Sequence, residues 1–113
     1  MPVRIYHNPR CNKSRRALAL LRERGVEPEI VEYLKAPPSA AELAQMLKQL
    51  GIPAQALLRR KEAAAAGIDP AALSEDALIA AMVANPIVIE RPVVISGTKA
   101  ALGRPPEQVL SVL

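Results

Sequence analysis

Apolar and polar residues alternate over Val3-Arg4-Ile5-Tyr6 and give way to His7-Asn8-Pro9, the pattern of a short strand that stops in a proline-stiffened loop. Beyond the loop the period changes. Ala17, Leu18, Leu20 and Leu21 recur at helical spacing between Asn12 and Arg24, and Gly25 stands where a left-handed C-terminal cap belongs. Cys11 is thereby placed at a helix N-terminus. Glu29 to Tyr33, rich in Ile, Val and Tyr, reads as a second strand, and the helix between the two is long enough for a parallel βαβ crossover.

Ser39-Ala40-Ala41-Glu42 is a capping box, followed by Leu43, Met46, Leu47 and Leu50 at i, i+3, i+4, i+7 and then by Gly51. Pro53 suits the first position of a short helical segment ending near Leu57-Leu58, and Ser74 with Glu75 and Asp76 opens another helix that Pro86 stops. Ile87 to Ile89 and Val93 to Ile95 are β-branched runs predicted as strands. Ser96-Gly97-Thr98 is a turn, and Pro105-Pro106 opens a last helix carrying Val109, Leu110, Val112 and Leu113. The order β-α-β, helical stretch, two short strands, final helix predicts an α/β fold. It is a thioredoxin/glutaredoxin-like mixed sheet of about four strands with a helical insertion. No polar linker divides it, so one domain is expected over residues 1–113.

Composition narrows the function classes. Of 113 residues, 20 are alanine and only Tyr6 and Tyr33 are aromatic, so the core is aliphatic and no base-stacking surface is expected. Fifteen Lys and Arg against 11 Asp and Glu leave +4, too weak a footprint to argue nucleic-acid binding. The longest uncharged stretch, Ala77 to Ile89, is broken by Asn85-Pro86 and falls short of the roughly 20 residues that span a bilayer. With no secretory signal after Met1 and one cysteine, a cytoplasmic, monomeric protein without an internal disulfide is expected. Nothing in the pattern suggests a metal or a bound cofactor.

Cys11 is the residue whose chemistry stands out. Free N–H groups and the positive end of a helix dipole favour its thiolate, and His7, Arg10, Lys13, Arg15 and Arg16 stand around it in sequence. The alternative is an inert buried thiol. A cysteine-phosphatase loop needs an arginine where Ala17 stands, and a Cys-x-x-Cys oxidoreductase needs a cysteine where Ser14 stands. Any resolving thiol must therefore come from another molecule. Arg59, Arg91 and Arg104 sit at transitions between elements; converging on the Cys11 loop, they would form a planar-donor pocket for a tetrahedral anion. Scattered, they are ordinary surface charges. His7 is either a charge partner of the thiolate or a hydrogen bonder that braces the loop.

The run Tyr6-His7-Asn8-Pro9-Arg10-Cys11-Asn12-Lys13-Ser14-Arg15 resembles the active-site signature of the glutaredoxin-coupled arsenate reductases, the ArsC-like family. The likeness extends through Ala56-Leu57-Leu58-Arg59, Pro86-Ile87, Arg91-Pro92 and Gly103-Arg104-Pro105. It implies a thioredoxin-like fold, Cys11 as nucleophile on arsenate, and Arg59, Arg91 and Arg104 as the oxyanion-binding residues. It also implies supporting roles for His7, Asn8, Ser14, Arg15 and Pro92, and a cis peptide before Pro92. Glutathione as co-substrate and glutaredoxin as partner follow from the same resemblance. Two other readings stay open: a glutathione-dependent thiol reductase of another substrate, and a redox-sensing regulator that binds RNA polymerase. The regulators use a two-cysteine switch, which one cysteine cannot supply.

Overall fold

The alternation at Val3–Tyr6 and the β-branched run from Glu29 fold as β1 (Val3–Tyr6) and β2 (Glu29–Val31), paired in parallel with Ile5 opposite Ile30. In the computed structural model, which describes residues 2–113, they are joined by α1 (Asn12–Glu23). That helix closes at Arg24 and Gly25, the glycine at φ +77°, a left-handed conformation that costs other residues a steric penalty. β2 ends before Tyr33 because the Glu32 carbonyl accepts from the N–H groups of Lys35 and Ala36 and turns the chain.

β3 (Val93–Ser96) runs antiparallel to β1, and β4 (Lys99–Leu102) antiparallel to β3, giving a mixed sheet of order β2-β1-β3-β4. Four strands were expected, but their membership differs. Ile87–Ile89 is not a strand. Pro86 opens a 3-10 turn, Pro86–Val88, where its fixed φ suits a first helical position and its missing N–H is no loss. Ile89 alone is extended, in an isolated antiparallel bridge to Leu58. The fourth strand is β4, whose Ala100 and Ala101 carry little strand preference. It is recruited by the hairpin across Gly97-Thr98.

The chain divides into two compact units, one running to Ala36 and resuming at Arg91–Leu113, the other Pro37–Glu90. In the first, Ala17, Leu18 and Leu21 of α1 bury against Ile5, Val94 and Ala101 of the sheet and against Val109 and Val112. These last two belong to Pro106–Val112, a 3-10 segment where a helix was expected. The apolar stripe of α1 is thus the sheet's cover.

The second unit is the helical insertion. α2 (Ala40–Leu50) starts with the expected capping box: Ser39 Oγ accepts the Glu42 N–H at 3.1 Å and the Glu42 carboxylate accepts the Ser39 N–H at 2.9 Å. After a 3-10 turn, Ala54–Leu57, come α3 (Arg60–Ala65) and α4 (Glu75–Ala84), the latter capped by Ser74. The Glu75 carboxylate accepts the Ala54 N–H at 3.0 Å and ties the 3-10 turn to α4. Among the described residues, no helix is long and apolar enough to cross a membrane.

Candidate active site

β1 delivers the chain into the loop 7–10 and α1 receives it, so Cys11 is the N-cap, extended at φ −95° and ψ 123°. Only 9% of the residue is exposed. Burial by itself pushes the thiol up. The N–H of Ser14, the charge of Arg91, the N–H of Lys13 and a hydrogen bond from Arg91 together outweigh it and bring the thiol below its ordinary value. Two of the cations near Cys11 in sequence, Arg15 and Arg16, have other work. Arg15 donates to the Pro9 carbonyl at 2.7 Å and to Asn12 Oδ1, and Arg16 pairs with Glu23 at 3.7 Å. The charge at the sulfur comes from Arg91, eighty residues away.

The loop hangs on Ser14, which is fully buried. Its Oγ accepts the Asn8 N–H at 3.0 Å and lies 2.6 Å from His7 Nδ1. The one buried oxygen thus joins the Asn8 N–H and the His7 ring. Burial pushes His7 down; Glu32 pulls it back up, while Arg22 and Arg15 add to the fall. An uncharged, hydrogen-bonded ring fits the bracing role of the two left open by the sequence. Asn8 contributes twice more: its carbonyl accepts the Cys11 N–H and its Oδ1 accepts the Arg10 N–H, both at 3.0 Å.

Arg91 is set by the backbone around it. The Arg91-Pro92 peptide is cis, and so is Arg104-Pro105, which the sequence did not suggest. Arg104 Nε donates to the Arg91 carbonyl at 3.1 Å, and the Gly103 N–H donates to the Pro92 carbonyl at 2.8 Å. A Cβ on Gly103 would stand 2.6 Å from Pro92 Cγ and 3.1 Å from Val109 Cγ1, so only glycine lets Pro92 seat here. That role for Gly103 was not apparent from the chain; its one signal is a glycine directly before Arg104-Pro105.

Cys11, His7, Asn8, Ser14, Arg15, Arg91, Pro92 and Arg104 all belong to the first unit. Arg59 belongs to the second, as N-cap of α3. There its N–H donates to the Val88 carbonyl at 2.7 Å, and its guanidinium pairs with Glu62 at 2.6 Å and donates to the Ile87 carbonyl at 3.2 Å. Among the described residues, no group of three or more His, Cys, Asp or Glu side chains is placed to hold a metal ion. An acidified thiol beside a guanidinium and two helix-start N–H groups has the chemistry of a nucleophile next to donors that suit a tetrahedral anion.

Residues 6–112 match the model of the ArsC family. The chain is 54% identical over 114 residues to the uncharacterized protein YfgD of Escherichia coli K12, covering 98% of this chain and 96% of that one. It is 44% identical over 114 residues to an arsenate reductase of Neisseria meningitidis serogroup B, covering 98% and 97%. Among solved structures it is similar to an arsenate reductase from Vibrio cholerae, with 46% identity and a TM-score of 0.90 over 100% of this chain and 98% of that one.

Proposed function

Because the chain belongs to the ArsC family, we propose that it reduces arsenate to arsenite, with Cys11 as nucleophile and glutathione with glutaredoxin as the source of electrons. The observation that carries this reading is the Cys11 thiol, lowered at a helix start by two N–H groups and Arg91. Arsenate is held by Arg91 and Arg104 with the helix-start N–H groups, whose charge offsets the oxyanion as it reacts, and Arg59 is the third oxyanion-binding residue that the family resemblance implies. The thiolate attacks arsenic and water leaves. Glutathione then adds to the arsenylated cysteine, and two thiol sulfurs give up two electrons as As(V) becomes As(III), ending as a disulfide. Glutaredoxin clears that disulfide, because a chain with one cysteine has no internal thiol to do so. A lone working thiol of this kind suits the reducing cytoplasm.

The test is NADPH oxidation in a system coupled through glutathione reductase. Oxidation that requires arsenate, glutathione and glutaredoxin together, and that is lost in Cys11→Ser, is the expected result. Arsenite formed catalytically with thioredoxin and no small thiol would refute the coupling. No arsenate-dependent oxidation at all would refute the activity.

A further inference from the structure

Beside the Cys11 loop lies a cavity that the arsenate chemistry leaves unused. It has a volume of about 200 Å3 and opens between loop residues 7–10 and Glu32, Leu34 and Lys35. Cavities that enclose a whole drug-sized ligand run to roughly 300–1,000 Å3, so this one takes the end of a longer molecule. Its charges are available. No acid among the described residues engages the Arg10 guanidinium. Lys35 reaches Glu32 only at 3.6 Å, with the two side chains 82% and 44% exposed, a pairing worth little. Glu32 is close enough to the loop to act on the charge of His7.

Two cations, one carboxylate and the apolar Pro9 and Leu34 are complementary to an α-amino acid. Arg10 and Lys35 suit its carboxylate, Glu32 its ammonium, and the apolar pair its methylenes. Arg10 directly precedes Cys11, so the cavity is built partly on the loop that leads into the thiol. We infer that the Arg10, Glu32 and Lys35 cavity binds the free α-amino and α-carboxylate groups of the γ-glutamyl residue of glutathione, presenting its sulfur to Cys11. The inference rests on the glutathione step proposed above.

A reaction that needs no arsenate separates the two. In oxidised glutathione, the Cys11 thiolate attacks one sulfur, a Cys11–glutathione disulfide forms, the original S–S bond breaks, and one glutathione leaves as thiolate. Its rate, read by intact mass, is compared with that of the disulfide of cysteinylglycine, which lacks the γ-glutamyl residue. Each rate is divided by that of the same disulfide with free N-acetylcysteine, and by iodoacetamide alkylation of the same protein. The wild-type chain should prefer oxidised glutathione by about tenfold. Arg10→Ala and Lys35→Ala should each reduce the preference, and the double variant should abolish it. Equal rates in the wild-type chain, or a preference that survives in the double variant, would overturn the inference. A preserved preference without arsenate turnover would instead remove the activity and leave the cavity assigned.

Discussion

Ser14 Oγ lies 2.6 Å from His7 Nδ1 with both residues buried, so two side chains lock the first turn of α1 to the end of β1. Ser14→Ala removes the partner of Nδ1 and also that of the Asn8 N–H. Each buried group left unsatisfied costs about 1 to 3 kcal/mol. Urea denaturation should show a loss of that order. A change under about 0.5 kcal/mol, the scale of a neutral surface substitution, would show that both groups find other partners.

The acidity of Cys11 is measurable as the pH midpoint of iodoacetamide alkylation. It should fall below the free-thiol value of about 8.5, and Arg91→Ala should raise it, since Arg91 contributes both charge and a hydrogen bond. The linked effect on stability follows. A folded-state value below the unfolded one means that deprotonation stabilises the fold, so the wild-type chain gains on Cys11→Ser as pH rises from the folded value to the unfolded one. An alkylation midpoint at or above the free value would end the argument for an activated thiol.

His7 has the opposite consequence on the acid side. Burial holds it below its ordinary value of about 6.5, so below that pH the unfolded chain takes up a proton that the folded chain refuses. Stability should fall as pH drops from about 6.5 toward the folded value. In His7→Gln the slope in that window should flatten. An unchanged slope would mean that the ring is protonated in the fold.

Where the determinants were local, the chain could be read. Ser39 and Glu42 specify the start of α2 by their own side chains, and β1, Cys11 and Asn12 follow one another as strand, cap and helix. Non-local determinants were hidden. Lys99-Ala100-Ala101-Leu102 is a strand because β3 lies beside it, and Ile87 is not one because Pro86 precedes it. The site divides in the same way. A helix-start thiol was legible at Cys11, but the neighbours in sequence, Arg15 and Arg16, turn to Pro9 and Glu23, and Arg91 supplies the charge. The packing of Gly103 on Pro92 depends on a contact no periodicity encodes.

Replacing Arg59, Arg91 or Arg104 by Ala should lower arsenate turnover by about 10² to 10³, the effect of removing one oxyanion donor. Lys should rescue poorly, because a point charge does not reproduce a bidentate fork. Circular dichroism checks that each variant folds. Wild-type turnover in all three would make them surface charges.

Gly103→Ala tests the seat of Pro92. The added methyl meets a proline ring at 2.6 Å and Val109 at 3.1 Å, an overpacking expected to cost about 1 to 3 kcal/mol. Because Pro92 adjoins Arg91, the alkylation midpoint of Cys11 should rise as well. A stable variant with an unchanged midpoint would show that the ring is free to move aside.

The pairing of Ile5 with Val94 joins residues from the first and last fifths of the chain. During synthesis, β1 and α1 leave the ribosome long before β3 exists, and closure of the sheet waits for that distant segment. Arg91 arrives with it. A nascent chain therefore carries Cys11 with helix-start N–H groups at most and without its guanidinium, so the cell makes the thiol first and switches on its full reactivity only when nearly all of the protein has been translated.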